Sequence, residues 1–236
     1  YALIKQDLYL ARKIQQSMFK INHPDKSHFD LALYFKPMFE VGGDIYDIVK
    51  LSEGYYRIFI GDATGHGIQA ALSTMIIKSE YDKIKGFNLK PNIVISLLND
   101  SFIDYYSNMN DVFTCALLDI DLNEKKIYYS SGGHPNQLLI YNSEITEVSA
   151  KGKVIGIVKQ QEYELIEIVL MYTDGIFEEF SPEGEMLGEK LFGEIVKKLV
   201  DEKDMKIFTQ KIADKTFEWL GGKEVNDDIT LIAVKY

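Results

Sequence analysis

Tyr55-Tyr56-Arg57-Ile58-Phe59-Ile60 runs directly into Gly61-Asp62-Ala63-Thr64-Gly65-His66-Gly67. The first six residues predict a buried strand, and the segment from Ile68 to about Lys85 reads as a helix. An acid therefore stands where a strand ends. Glycines 61, 65 and 67 allow the backbone to turn tightly and approach a ligand, and Asp62 offers a hard oxygen donor.

Three more acidic stretches occupy strand edges. Val41-Gly42-Gly43-Asp44-Ile45-Tyr46-Asp47 lies before or at the start of a strand, and the apolar run Ile166 to Tyr172 leads into Thr173-Asp174-Gly175. Asn226-Asp227-Asp228-Ile229-Thr230 precedes the strand Leu231 to Val234. An Asp before Gly at a strand end is, taken singly, an ordinary turn residue. Four such sites together read differently: if they converge, the carboxylates repel severely unless cations sit between them, which points to metal binding. All-oxygen ligation selects Mg²⁺ or Mn²⁺ over zinc, which favours His and Cys. The four histidines, 23, 28, 66 and 134, show no ligand-like spacing. His66 reads as a helix-entry or packing residue, or as one that orients substrate or water; His134, in Gly132-Gly133-His134-Pro135, reads as a turn residue.

The 236 residues, 46% hydrophobic and 12% aromatic, suffice for a substantial core. A net charge of −10 opposes non-specific binding to nucleic acid or an anionic membrane surface. The one cysteine, Cys115, lies in the apolar run Val112 to Leu118, so it predicts a buried strand residue and a chain without disulfides, as in a reducing compartment. No apolar run approaches the ~20 residues that span a bilayer, and no signal-peptide pattern is visible, so a soluble cytoplasmic piece of a longer protein is expected.

From Tyr1 to Ile21, apolar residues at 4, 8, 11, 14, 18 and 21 have helical spacing. This stripe serves either as a seam with a second copy, making a homodimer, or as a face packed on its own domain. Asn22-His23-Pro24-Asp25-Lys26 ends it. Strands are expected at Phe29 to Phe35, Ile45 to Leu51, Tyr55 to Ile60, Val112 to Asp121, Lys126 to Ser130, Gln137 to Tyr141, Ile145 to Ser149, Glu162 to Tyr172 and Leu231 to Val234. Helix pairs are expected at His66 to Lys85 with Asn92 to Tyr106, and at Glu189 to Val200 with Asp204 to Leu220, the last closed by Gly221-Gly222. Short turns between successive strands predict an α+β domain of antiparallel sheets covered by helices.

The set Val41-Gly42-Gly43-Asp44 with Tyr46-Asp47, Gly61 to Gly67, Ser130 to Pro135, Tyr172 to Glu178 and Asp227 to Thr230 resembles the metal-dependent, PPM-type protein serine/threonine phosphatases. Within them it is similar to the branch typified by stage II sporulation protein E and the sigma-factor regulator phosphatases, over roughly Phe29 to Tyr236. The resemblance implies two packed antiparallel β-sheets flanked by helix pairs, an αββα sandwich, with two Mn²⁺ or Mg²⁺ ions at one end. It implies that Asp62 bridges the ions, that the Ala63 carbonyl completes one shell, and that Asp174 and one of Asp227 and Asp228 bind one ion. Asp44 contacts the other, directly or through water. A metal-activated water would attack phosphorus with no protein nucleophile. Residues 1–27 are similar to the family's linker helix, which carries signals from an upstream sensor domain into a phosphatase domain at 28–236. The implied substrate is a phosphoserine or phosphothreonine on an anti-sigma-factor antagonist. Lys151 to Gly156 departs from the Pro-Leu-Gly usual in the family.

Other phosphatase chemistries fit less well. Cys115 is followed six residues later by Asp121, so a Cys-x5-Arg loop is excluded, and no Walker-type Gly-x4-Gly-Lys-Ser/Thr sequence occurs. Asp119-Ile120-Asp121 resembles the Asp-x-Asp of haloacid dehalogenase-type phosphatases, with Asp119 as covalent nucleophile, but it enters a hairpin turn and reads as solvent-facing turn acids. A third reading is a catalytically silent binding module of the same fold.

Overall fold

The computed structural model describes residues 2–19, 30–65, 67–106, 111–124, 126–141, 144–163, 165, 171–202 and 204–235. The chain divides into two compact units. One comprises Tyr1–His23, Phe39–His134 and Ala150–Glu167, and the other Pro24–Met38, Pro135–Ser149 and Ile168–Tyr236.

The first unit is built on a four-stranded antiparallel meander of β2 (Asp44–Ser52), β3 (Tyr55–Ala63), β4 (Phe113–Asp121) and β5 (Lys126–Gly132), in that spatial order. Helices α1 (Ala2–Met18), α2 (Gly67–Ile84) and α3 (Pro91–Tyr106) belong to it. Central strands β3 and β4 are buried at nearly every position, which explains why their sequences are continuous apolar runs without alternation. Pro91 opens α3, where its missing N–H has no helical partner to lose. Val94, Ile95, Leu98 and Phe102 then pack in a core with Phe59, Ile77, Tyr81, Phe113 and Leu117. Each such side chain contributes about 1.5–3 kcal/mol on burial. Cys115 is buried in this core and free.

Charge is also buried here. Arg57 and Asp119 face each other across β3 and β4, both fully enclosed, with Nε to Oδ1 and Nη2 to Oδ2 both at 2.7 Å. The remaining guanidinium donors reach the carbonyls of Lys85 at 2.9 Å and Leu89 at 2.5 Å, tying the α2–α3 connection to the sheet. Tyr55 Oη donates to Asp119 as well. The expectation that Asp119 is a solvent-facing turn acid is thus corrected, and so is its rival role as a nucleophile, since both its oxygens are occupied. Asp121 alone serves the turn, accepting from the N–H groups of Asn123 and Glu124. Asp47 is likewise buried, between Lys85 at 2.9 Å and Lys78 at 3.7 Å.

The second unit has a three-stranded sheet in the order β1 (Asp30–Lys36), β9 (Ile229–Lys235), β8 (Met171–Tyr172), all antiparallel, and a hairpin of β6 (Gln137–Tyr141) and β7 (Glu144–Val148). Helices α4 (Gly188–Leu199) and α5 (Met205–Leu220) supply Phe192, Val196, Phe208, Ile212 and Leu220 to a core shared with Tyr172, Phe177, Ile229 and Leu231. Asp204 caps α5 by accepting from Lys206 and Ile207 N–H, and Gly221 ends it in the left-handed conformation at φ 59°.

Most expected elements lie within a few residues of those observed. Of the long strand expected from Glu162, Glu162, Tyr163 and Leu165 are not in a strand, Met171–Tyr172 pairs with β9, and residues 164 and 166–170 lie outside the described residues. The break at Asn22 to Lys26 also lies outside them. On α1 the buried face is rotated from the apolar stripe: Gln15 is buried while Ile14, with Tyr9 and Leu10, is exposed. No described helix is long and apolar enough to cross a membrane.

Two stability predictions follow from the buried charges. Asp119→Ala leaves the Arg57 guanidinium buried and unpaired, so urea unfolding should show a loss of about 3–5 kcal/mol. Glu80, buried at 2% exposure, accepts from Lys83, Ser101 and Tyr106, which outweigh burial and hold its carboxyl below the ordinary 4.5. A lowered folded-state pKa favours the ionised form, so its contribution is full above the unfolded pKa and lost as pH falls through the folded one. Glu80→Gln should therefore cost about 1.5–3 kcal/mol near neutral pH, with the gap to wild type closing in acid.

Candidate metal centre

In the first unit, β2 begins at Asp44 and β3 continues past Gly61 to Ala63, so Asp62 lies within the strand and directly opposite Asp44. Ala63 N donates to Gly43 O at 3.0 Å, making that the hydrogen-bonded pair and Asp44–Asp62 the adjacent non-hydrogen-bonded one. Side chains in such a pair approach most closely, on one face of the sheet, and like charges there are destabilising. Asp44 is only 1% exposed; Asp62 is half-buried.

The turn that presents Asp44 has no room for side chains. A Cβ on Gly43 would lie 3.2 Å from the Ala63 carbonyl oxygen and 3.1 Å from that of Gly65. Gln15 of α1 holds the preceding peptide from both sides. Its Nε2 donates to Gly42 O at 2.7 Å and its Oε1 accepts from Gly42 N at 3.2 Å, while Nε2 also reaches Thr74 Oγ1 of α2 at 3.0 Å. On the other side of Asp62, its β4 partner Thr114 bonds His134 Nδ1 at 2.8 Å. His134 is buried, and its N–H donates to Ser131 Oγ in a tight turn, in keeping with the role expected for it. His23, His28 and His66 lie outside the described residues.

In the second unit, Asp174 starts a short 3-10 helix, Asp174–Ile176, immediately after β8. Thr173 fixes it to β9: Thr173 N donates to Thr230 O, and Thr230 N donates to Thr173 Oγ1, both at 3.1 Å. Burial pushes the Asp174 carboxyl up, partly offset by its own N–H and that of Gly175. The Asp227-Asp228 backbone lies against Gly175, where a Cβ would meet the Asp228 carbonyl oxygen at 2.0 Å and Asp227 Cβ at 3.4 Å.

The two adjacent acids differ. Asp228 is buried at 3% exposure and its Oδ1 accepts from Met38 N at 2.6 Å; Asp227 is half-buried and its Oδ1 accepts from Asp228 N at 2.7 Å. Each thus has one oxygen bonded to a main-chain N–H, and Asp227 is the more exposed of the two.

The expected site residues therefore fall into two groups, Asp44, Asp62 and Ala63 in one unit and Asp174, Asp227 and Asp228 in the other. Among the described residues no three His, Cys, Asp or Glu side chains are arranged as a ready metal cluster. The donors within each group are carboxylate and carbonyl oxygens, the chemistry that suits a hard divalent cation. Sequence reasoning missed Gln15, whose signal was a polar residue one turn from Ala11 and Phe19.

Comparison with solved structures defines the class. The chain superposes on the PP2C domain of SiaA from Pseudomonas aeruginosa with a TM-score of 0.83, at 20% identity, covering 100% of this chain and 98% of that one. It matches RsbX in complex with magnesium at a TM-score of 0.62 and 14% identity, over 90% and 97%. This is the PP2C-type phosphatase fold. The sequence profile of the stage II sporulation protein E (SpoIIE) family matches residues 52–236, so the chain belongs to that family. Among curated relatives, it is 24% identical to phosphoserine phosphatase RsbU of Bacillus subtilis over 98% of this chain and 70% of that protein. To phosphoserine phosphatase RsbP of the same organism it is 29% identical, over 74% of this chain but only 46% of the relative's length.

Gly175→Ala should displace the Asp227-Asp228 backbone by steric contact alone. Isothermal titration should then show Mn²⁺ affinity reduced at least ~10-fold, with the far-ultraviolet circular dichroism unchanged.

Proposed function

We propose that this chain is the output domain of a signalling protein and hydrolyses phosphoserine or phosphothreonine on a protein substrate with the aid of Mn²⁺ or Mg²⁺. The observation that carries this reading is the close pairing of Asp44 with Asp62 on a fold whose relatives include phosphoserine phosphatases. In the first unit Asp62 and Asp44, with the Ala63 carbonyl, would be the ligands; in the second unit they would be Asp174 and Asp227. Two such ions, when bound, supply an acidified water and charge neutralisation at the phosphoryl oxygens.

The rest of the work is done by the chain. The β2–β3 register fixes the spacing of the two carboxylates, the glycine at 43 lets the carbonyls of Ala63 and Gly65 approach the chain there, and Gln15 holds both backbone groups of Gly42. No side chain is required as a covalent nucleophile: Cys115 is buried with its thiol pKa pushed up by burial, and Asp119 is held by Arg57.

The substrate we favour is a small phosphorylated anti-sigma-factor antagonist, on the resemblance set out above. Residues 1–27 act in this reading as a linker helix from an upstream sensor, and residues 28–236 as the phosphatase domain. The exposed Tyr9, Leu10 and Ile14 of α1 support a homodimer through that helix. The second reading, a silent binding module, predicts no turnover.

The test is Mn²⁺-dependent phosphate release from a phosphoserine peptide or protein, with and without a dimerising coiled coil fused ahead of Tyr1. Wild type should be active only with metal, Asp62→Ala should fall to background, and Asp119→Asn should retain activity per folded molecule. Absence of release in both formats, with the fold intact by circular dichroism, would refute the phosphatase and favour the binding module.

A further inference from the structure

The chain carries an acidic pair just past Asp174, Glu178-Glu179, whose members have opposite fates. Glu178 is exposed, whereas Glu179 is completely buried. A fully buried carboxylate is costly unless hydrogen bonds satisfy it. Those around Glu179 come from one place. Asn226 N–H donates to Oε1 at 3.0 Å and to Oε2 at 3.2 Å, and Asn226 Nδ2 donates to Oε2 at 2.9 Å, while the Asp227 N–H favours the charged carboxyl as well. Lys36 adds attraction at longer range. The Glu179 backbone is itself fixed, its carbonyl accepting from Leu187 N at 2.8 Å.

We infer that Glu179 is a positioning residue for the metal-ligating loop, holding the Asn226-Asp227 peptides so that the Asp227 carboxylate is presented to a divalent cation. The inference rests on the metal reading above and goes beyond it, since Glu179 is not among the proposed ligands and its carboxylate is bonded to Asn226. The loop is constrained at three points. Glu179 fixes Asn226 by its main-chain and side-chain N–H groups, Gly175 lies against the Asp228 carbonyl, and Met38 N holds the Asp228 carboxylate. The first acts on the residue that directly precedes Asp227. A carboxylate suits this task because it is acceptor-only, and charge-assisted bonds to peptide N–H groups are roughly twice as strong as neutral ones. A glutamine there would turn its amide N–H₂ towards one of the donors, and the loop would shift to avoid it.

The test uses the full chain and reads metal binding directly. Mn²⁺ affinity is measured by isothermal titration, and the melting temperature is followed with and without Mn²⁺, for wild type, Glu179→Gln, Asn226→Ala and Asp174→Asn. Glu179→Gln should weaken Mn²⁺ binding by about 10–100-fold and lose most of the metal-induced rise in melting temperature. In phosphate release, saturating Mn²⁺ should restore kcat, with KM for the phosphopeptide unchanged. Asn226→Ala, which keeps the main-chain bonds, should give a smaller shift in the same direction and serves where Glu179→Gln fails to fold. A Mn²⁺ titration like that of wild type in both variants, whatever the change in metal-free melting temperature, would show Glu179 to be purely structural and overturn the inference. Asp174→Asn separates the two levels: if wild type binds no Mn²⁺, or Asp174→Asn binds it as wild type does, the metal reading itself fails and the inference with it.

Discussion

Two carboxylates facing each other at the closest spacing an antiparallel sheet allows repel, and the first unit is organised around holding Asp44 and Asp62 in that position. Register alone brings them together, and register is secured by the burial of nearly every residue of β3. The bare Gly43 then lets the carbonyls of Ala63 and Gly65 close in on the chain just before Asp44. A sheet that opposes two acids at nearest-neighbour distance carries an electrostatic cost that a divalent cation reverses in sign.

Buried acids elsewhere in the chain show what an ordinary structural solution looks like. Asp119 has Arg57, and Asp47 has Lys78 and Lys85. Those pairs hold helices and connections to the sheet. At the candidate centre Asp174, Asp227 and Asp228 are met by peptide N–H groups, and Asp44 lies opposite Asp62. Burial alone does not tell the acids apart, since Asp44, Asp47 and Asp119 are all buried to within 2% of completely.

The positions of the acids were legible in the sequence because strand, glycine and carboxylate follow one another along the chain at each site. The helices and most strands were legible through periodicity and caps, such as Asp204 and Gly221 around α5. What escaped reading depended on contacts between distant segments. Arg57 is a charged residue within an apolar strand, and the β3–β4 register reveals Asp119 as its partner. Gln15 and Glu179 act on peptides 27 and 47 residues away, and no local pattern encodes such a meeting. Of the strand expected from Glu162, Met171 and Tyr172 pair with β9, whereas Tyr163 and Leu165, apolar as they are, lie outside any strand.

The sheet of the second unit has a temporal side. Its middle strand, β9, is made of residues 229–235, and one of its flanking strands, β1, of residues 30–36, paired from Asp30 with Lys235 to Lys36 with Ile229. On a ribosome adding ~5–20 residues per second, β1 emerges on the order of ten seconds or more before its partner exists. Throughout that interval Leu31, Leu33, Tyr34 and Phe35 belong to a strand with no ladder to join, a segment open to wrong pairing or to a chaperone. The meander of the first unit, with each strand beside its predecessor, has no such wait. One half of the molecule is therefore free to fold during synthesis, while the other is committed to finishing only when its last strand has been made.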